Sequence, residues 1–250
     1  SCTLCPRNCR IDREKSVGAC SVKGLKIAKA SLHFGEEPCI SGTDGRGAGT
    51  IFFSGCPLKC IFCQNMPISR DGYGKEISPE RLGEIMLELQ EKGAHNIDLV
   101  TPTHYTDIIA DVLRKVKPKL KIPVVYNCGG YEKVETLKML DGLVDIYLPD
   151  FKYYSHRLSE KYSAAPDYRE TAAAALAEMV RQTGAPIYDE NTGLMKSGVI
   201  VRHMMLPGHL QDSKKVLSYL RDTYGDTIVY SVMSQYTPVR MFPDMPELNR

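Results

Sequence analysis

Apolar residues along this chain recur in two alternating rhythms. Short apolar runs near residues 51–53, 96–101, 122–127, 144–149, 199–206 and 227–234 read as strands, and between them lie stretches with apolar residues three and four apart. Leu82, Ile85, Met86 and Leu89 share one face of a helix opened by Ser78 and Pro79 and stopped at Gly93. Ile108, Ile109, Val112, Leu113 and Val116 form the next stripe, closed by Pro118. Further helices are expected around 133–140, over the Ala-rich 168–183 ending at Gly184, and around Val216, Leu217 and Leu220, with a hairpin turn at 189–193. Strand and helix in alternation predict an α/β fold with a parallel sheet and crossover helices. Six such units predict a partial, open (β/α)6 TIM-like barrel over residues 50–250.

The first 49 residues follow a different pattern and are expected to form a Cys-rich, metal-binding N-terminal extension. Residues 25–34 alternate well enough for an edge strand. The glycines at 42, 45, 47 and 49 suggest a phosphate cradle at first sight, but no Lys-Ser/Thr pair and no helix pattern follows, so a flexible connector is expected. No linker, internal repeat or low-complexity tract divides the remainder. The tail from Met241 to Arg250 is broken by prolines and ends without a capped element, so the natural chain is expected to continue.

Composition narrows the functional classes. The chain has 250 residues, 43% of them hydrophobic, which is ample for a buried core. Lys and Arg total 32 against 30 Asp and Glu, so a net charge of +2 gives no basic field for nucleic acid. No run approaches eighteen apolar residues and the first residues lack a signal-peptide pattern, so a cytoplasmic protein without a membrane partner is expected. Nine cysteines could form a disulfide framework, but their odd number and clustering favour metal in a reducing compartment.

The cysteines carry the chemistry. Cys56, Cys60 and Cys63 stand four and three residues apart on one short loop directly after the apolar Ile51-Phe52-Phe53 run. Structural zinc takes four protein ligands, whereas three close thiols can hold three irons of a four-iron, four-sulfur cluster and leave the fourth iron open. A zinc loop or three buried thiols are the alternatives. Cys2, Cys5, Cys9 and Cys20 form a second set, which could close a tetrahedral site around zinc or hold an auxiliary iron–sulfur cluster. So short a segment has little apolar surface, and a metal would supply its folding free energy. Free thiols on a cysteine-rich arm are the alternative there.

In parallel α/β barrels the chemistry sits at the carboxyl ends of the strands. Those ends carry Thr103-His104-Tyr105 after the second predicted strand, Asn127-Cys128-Gly129-Gly130 after the third, Asp150-Phe151-Lys152 after the fourth, and Arg202-His203 within the fifth. Arg202 or Lys152 suits a carboxylate, and Asp150 suits an ammonium or a bound monovalent cation.

The stretch Cys56-x-x-x-Cys60-x-Phe62-Cys63 resembles the Cys-x-x-x-Cys-x-aromatic-Cys hallmark of the radical SAM superfamily. Asp150-x-Lys152 and the Arg202-bearing strand ending in Pro207-Gly208 resemble enzymes related to the pyruvate formate-lyase activating enzyme. Cys2-x-x-Cys5-Pro6-Arg7-x-Cys9, residues 33–42 and residues 52–56 are similar to its PflX-like branch. The resemblance implies a 4Fe-4S cluster on Cys56, Cys60 and Cys63. It also implies S-adenosyl-L-methionine held among Phe62, Asn65, Thr103, His104, Asn127, Asp150, Lys152 and Arg202, reductively cleaved to a 5'-deoxyadenosyl radical. Flavodoxin or ferredoxin would donate the electron, and a glycyl radical enzyme would be the protein substrate. Two positions depart from the pattern: Thr103-His104-Tyr105 stands where that family carries Gly-Gly-Glu, and Asn127 stands where activating enzymes carry an acid, so the cofactor grip is altered. A radical enzyme acting on a small molecule or peptide with an auxiliary N-terminal cluster, and a non-catalytic metal-binding protein, are the competing readings.

Overall fold

The computed structural model describes residues 2–13 and 15–249. Its framework is a mostly parallel sheet with helices packed on one side. The strands are β1 (Lys26–His33), β2 (Ala48–Phe53), β3 (Lys75–Glu76), β4 (Ile97–Val100), β5 (Val124–Cys128), β6 (Ile146–Pro149), β7 (Ile187–Tyr188), β8 (Met195–Met204) and β9 (Val229–Met233). β2, β4, β5, β6, β8 and β9 run parallel in that spatial order. β1 lies antiparallel against β2, and the short β3 and β7 pair antiparallel with β1 and β8.

The helices are α1 (Pro38–Ser41), α2 (Met66–Ser69), α3 (Pro79–Glu91), α4 (Thr106–Val116), α5 (Val134–Leu137), α6 (His156–Ser163), α7 (Tyr168–Thr183) and α8 (Leu210–Tyr224). α3 begins where the sequence says, with the Ser78 hydroxyl accepting from the Arg81 backbone N–H. α7 ends at Gly184, whose φ of 70° suits the turn out of the helix. No helix among the described residues is long and apolar enough to cross a membrane.

Strand alternation sorts side chains onto two buried faces, as expected of a parallel sheet covered on both sides. Val124 and Tyr126 of β5 join the larger core beneath the helices, whereas Val125 joins Ala48, Ile146, Leu148 and Ile200 on the inner face. Register stacks the inner face in layers: Thr50, Asp98, Val125 and Ile146, then Phe52, Val100, Asn127 and Leu148. One layer higher, Asp150 bridges to Arg202. The inner face therefore mixes apolar residues with buried Thr50 and Asp98 below, and carries the Asp150–Arg202 pair above.

The segment around α1 supplies what the sheet's two outer parallel strands do not give each other. Ile40 packs in the inner core, the Ile40 carbonyl accepts from Asn96, and Glu37 accepts from Ser231 of β9. α1 leaves no periodic signal, because four residues hold too few apolar positions for a period. The connector expected over 42–49 is shorter than anticipated, since Ala48 and Gly49 already pair with β1. The helix expected over 133–140 is a single turn that tightens to a 3-10 turn at Lys138–Leu140.

Gly130 connects β5 to α5 at φ 78°, and a Cβ there would stand 2.1 Å from the Asp150 carbonyl oxygen. Gly130→Ala combines a left-handed backbone with a clash against backbone, and is expected to cost about 3 kcal/mol or more in a urea denaturation series.

Candidate active site

β2 delivers its chain into a loop whose geometry is set by close packing. Gly55 takes φ 85°, and a Cβ there would meet the Cys20 carbonyl oxygen at 2.4 Å. The loop then presents Cys56, Cys60 and Cys63 to a cavity of about 300 Å³. Phe62, Asn65, Asn127, Asp150, Lys152 and Arg202 line that same cavity. Residues remote in sequence thus meet because each lies at the carboxyl end of its strand or on the loop that follows.

α6, which sequence patterning did not predict, holds the middle thiol. Ser155 caps its start, Ala164 ends it in the left-handed conformation, and Ser163 donates its hydroxyl to Cys60 Sγ at 2.9 Å. Tyr153 hydrogen-bonds to the Ser163 hydroxyl at 2.7 Å, and Ser69 lies 3.3 Å from Cys63 Sγ. The only sequence cue to α6 was Ser155 as a cap, since its eight residues carry few apolar side chains.

Burial pushes the Cys56 and Cys60 thiols above their usual range, so without a bound cation both are neutral at pH 7. A soft metal centre deprotonates such thiols on binding. Among the described residues no three His, Cys, Asp or Glu side chains close into a ready-made cage. The loop opens three soft thiols onto the cavity; the other two donors on its wall are engaged elsewhere, buried Cys128 with Glu132 and Asp150 with Lys152 and Arg202, and no histidine lines it. That chemistry fits an iron–sulfur cluster with one corner free better than a closed zinc site.

Opposite the thiols lies a chain of alternating charge. Lys152 Nζ donates to Asp150 Oδ2 at 2.6 Å, Arg202 Nε donates to Asp150 Oδ1 at 3.1 Å, and Arg202 Nη1 donates to Glu36 Oε2 at 3.2 Å. Arg202 Nη2 also donates to Asn127 Oδ1 at 2.5 Å. Burial opposes ionisation of Asp150, but Lys152 and Arg202 outweigh it and hold the carboxyl below its usual range. Burial raises Glu36 despite Arg202, and raises Asp98, deeper in the inner face, still more.

Thr103 and His104, expected to hold the cofactor, lie elsewhere. The chain turns outward after β4, placing Thr101 on the cavity at φ 59° and both predicted residues in the core behind it. Thr103 donates to Glu132 Oε1 at 2.6 Å, and His104 Nε2 contacts the Ser54 carbonyl at 2.8 Å. Burial drives the His104 pKa down to about 3, which leaves the ring neutral. Glu132, not singled out by sequence reading, also accepts from Tyr126 at 3.0 Å. A lone glutamate outside any strand end carries no signal of such a role.

The N-terminal cysteines lie against this assembly. Cys5 and Cys20 are buried, and Cys2 and Cys9 are partly so. Burial pushes the Cys5 thiol up to about 11, while Cys9 Sγ accepts from the Ala19 N–H at 3.3 Å. The Cys20 carbonyl accepts from the Cys56 backbone N–H at 3.2 Å.

The family model described as the Radical SAM superfamily matches residues 50–220. The chain belongs to the radical SAM superfamily. Membership supports an enzyme using S-adenosylmethionine radical chemistry. An uncharacterized protein of Methanocaldococcus jannaschii, MJ0674, is 30% identical over 260 residues, covering all of this chain and 70% of that protein. The fold resembles methylornithine synthase (PylB), with TM-score 0.50 and 17% identity over 76% of this chain, and Streptococcus suis SuiB, with TM-score 0.51 and 15% identity over 80%. This chain spans 54% and 42% of those two structures, so the likeness concerns the fold alone.

Burial raises the Glu132 pKa to about 7, above its unfolded value near 4.5. The folded state then holds a proton that the unfolded chain has released, so stability falls as pH rises from about 4.5 to about 7. Glu132→Gln is expected to flatten that slope and to gain up to about 3 kcal/mol relative to wild type at pH 8, read by denaturation at several pH values.

Proposed function

We propose that this protein is a radical SAM enzyme whose Cys56, Cys60 and Cys63 thiolates hold a 4Fe-4S cluster with one open iron. The observation that carries the reading is the meeting of the three thiols with Asp150, Lys152 and Arg202 around one cavity. Bound there, the cluster supplies reductive cleavage of S-adenosylmethionine. The chain's own residues bind and orient: Lys152 and Arg202 are suited to the carboxylate of the methionine end, and Asp150 to its ammonium. Asn127, Asn65 and Phe62 complete the wall, Phe62 as an apolar surface that keeps water from the thiols. The six parallel strands form the partial barrel over residues 50–250, left open on the side that α1 fills, and residues 1–49 form the extension.

The target we favour is a glycyl radical enzyme, activated by hydrogen abstraction, with flavodoxin or ferredoxin as electron donor. A second reading, modification of a small molecule or peptide with an auxiliary N-terminal metal centre, is favoured by the contact of Cys20 with Cys56. In either case Cys2, Cys5, Cys9 and Cys20 hold a second metal, as 4Fe-4S or zinc.

Two measurements test these readings. Anaerobically reconstituted, reduced protein is expected to convert S-adenosylmethionine to 5'-deoxyadenosine and methionine, with at least a hundredfold loss in Cys60→Ala; a wild-type protein without this activity rules the reading out. Metal analysis is expected to find about eight irons per chain for two clusters, or about four irons with one zinc, the second metal vanishing in Cys5→Ser.

A further inference from the structure

The outside of the cluster loop carries three basic side chains that, among the described residues, meet carbonyls and a hydroxyl rather than carboxylates. Arg7, from the N-terminal cysteine segment, donates Nε to the Pro57 carbonyl at 2.8 Å and its two terminal nitrogens to the Ala164 and Ser163 carbonyls at 2.5 and 3.3 Å. Lys59, between Cys56 and Cys60, donates Nζ to the Ser21 hydroxyl at 2.9 Å. Arg70 donates Nη2 to the Lys59 carbonyl at 2.5 Å, and its Nε is buried without a partner. Among the described residues none of the three forms an ion pair. All are partly buried, so solvent screens them incompletely.

Six other arginines of this chain are arranged differently. Arg46, Arg81, Arg114, Arg169, Arg181 and Arg202 each meet a carboxylate. Around Cys56 the acceptors are instead carbonyls and a hydroxyl, which bind the cations without neutralising them. Lys59 reaches Ser21 beside Cys20, Arg70 holds the Lys59 carbonyl, Arg7 holds Pro57 beside Cys56, and the Cys56 N–H meets the Cys20 carbonyl, so the three cations and the thiols form one neighbourhood.

A 4Fe-4S cluster on three thiolates is already anionic, and an added electron makes a partly buried anion more so. Potentials of such clusters follow the charge and hydrogen bonding around them. We propose that Arg7, Lys59 and Arg70 form a cationic brace that eases one-electron reduction of the cluster on the Cys56–Cys63 loop, and that the N-terminal segment brings Arg7 and the Lys59 anchor Ser21 to it. In that step one electron passes from a low-potential one-electron donor to the cluster, with no bond broken and no proton moved. The inference rests on the proposed cluster and adds what sets its reducibility. The three are positioning residues, since none lines the cavity.

The test uses the full chain, anaerobically reconstituted, with iron and sulfide counted and the reduced cluster followed by electron spin resonance during a redox titration without S-adenosylmethionine. At the wild-type midpoint, Lys59→Met and Arg70→Met, carrying wild-type iron, are each expected to lower the reduced-to-oxidised ratio by about three- to tenfold, as one charge at roughly 10 Å would. Lys59→Arg is expected to restore it. Arg7→Met is expected to shift the ratio similarly; if it sheds its iron, the other two variants decide. Unchanged ratios in fully loaded Lys59→Met and Arg70→Met would overturn the proposal, as would loss of iron from all three, which would make the brace only structural. A wild-type protein that takes up no cluster would sink the underlying reading instead, and is told apart by its iron content alone.

Discussion

Asp150 sits between Lys152 and Arg202, and the cavity depends on that buried contact. Taking a carboxylate, an ammonium and a guanidinium out of water costs several kcal/mol each unless they satisfy one another. Here they do so in sequence, with Glu36 closing the far end against Arg202 and Asn127 filling the remaining fork. Removing one member strands its neighbours in a low-dielectric space, so the group keeps or loses its arrangement as a unit. The order also fixes where charge is offered: Lys152 and Arg202 reach the cavity wall, while Glu36 lies behind it.

The thiol side is built differently. Three cysteines on a short irregular loop have few backbone constraints of their own, and the neighbours provide them: Ser163 from α6, Ser69 from α2, and the Cys20 carbonyl from the N-terminal segment. Arg7 ties together the loop and the end of α6, which itself orients Cys60. The N-terminal residues also reach the sheet's upper edge, where Thr136 donates to the Leu4 carbonyl at 2.8 Å and Arg13 donates to the His104 carbonyl. The extension thus packs against the elements that shape the site.

Much of this was legible because it depends on period and spacing. The six parallel strands, α3, α7 and α8 follow from apolar repeats with Ser, Pro and Gly at their ends, and the cysteine spacing marks the loop without a structure. What stayed hidden depends on contacts between distant residues. Thr103 and His104 follow a strand, as cavity residues do, yet the left-handed Thr101 turns the chain so that they point into the core. α1 and α6 are too short and too polar to leave a period. Glu36 and Glu132 look like ordinary surface acids in the sequence, and only the fold buries one against Arg202 and the other against Thr103 and Tyr126.

The central claim is an unequal corner on the cluster held by Cys56, Cys60 and Cys63. The most direct measurement is a Mössbauer spectrum of protein reconstituted with iron-57, with Cys2, Cys5, Cys9 and Cys20 replaced by serine, recorded before and after adding S-adenosylmethionine. One iron in four is predicted to change its isomer shift on addition while three stay as they were. Four equivalent irons indifferent to the cofactor would contradict the account.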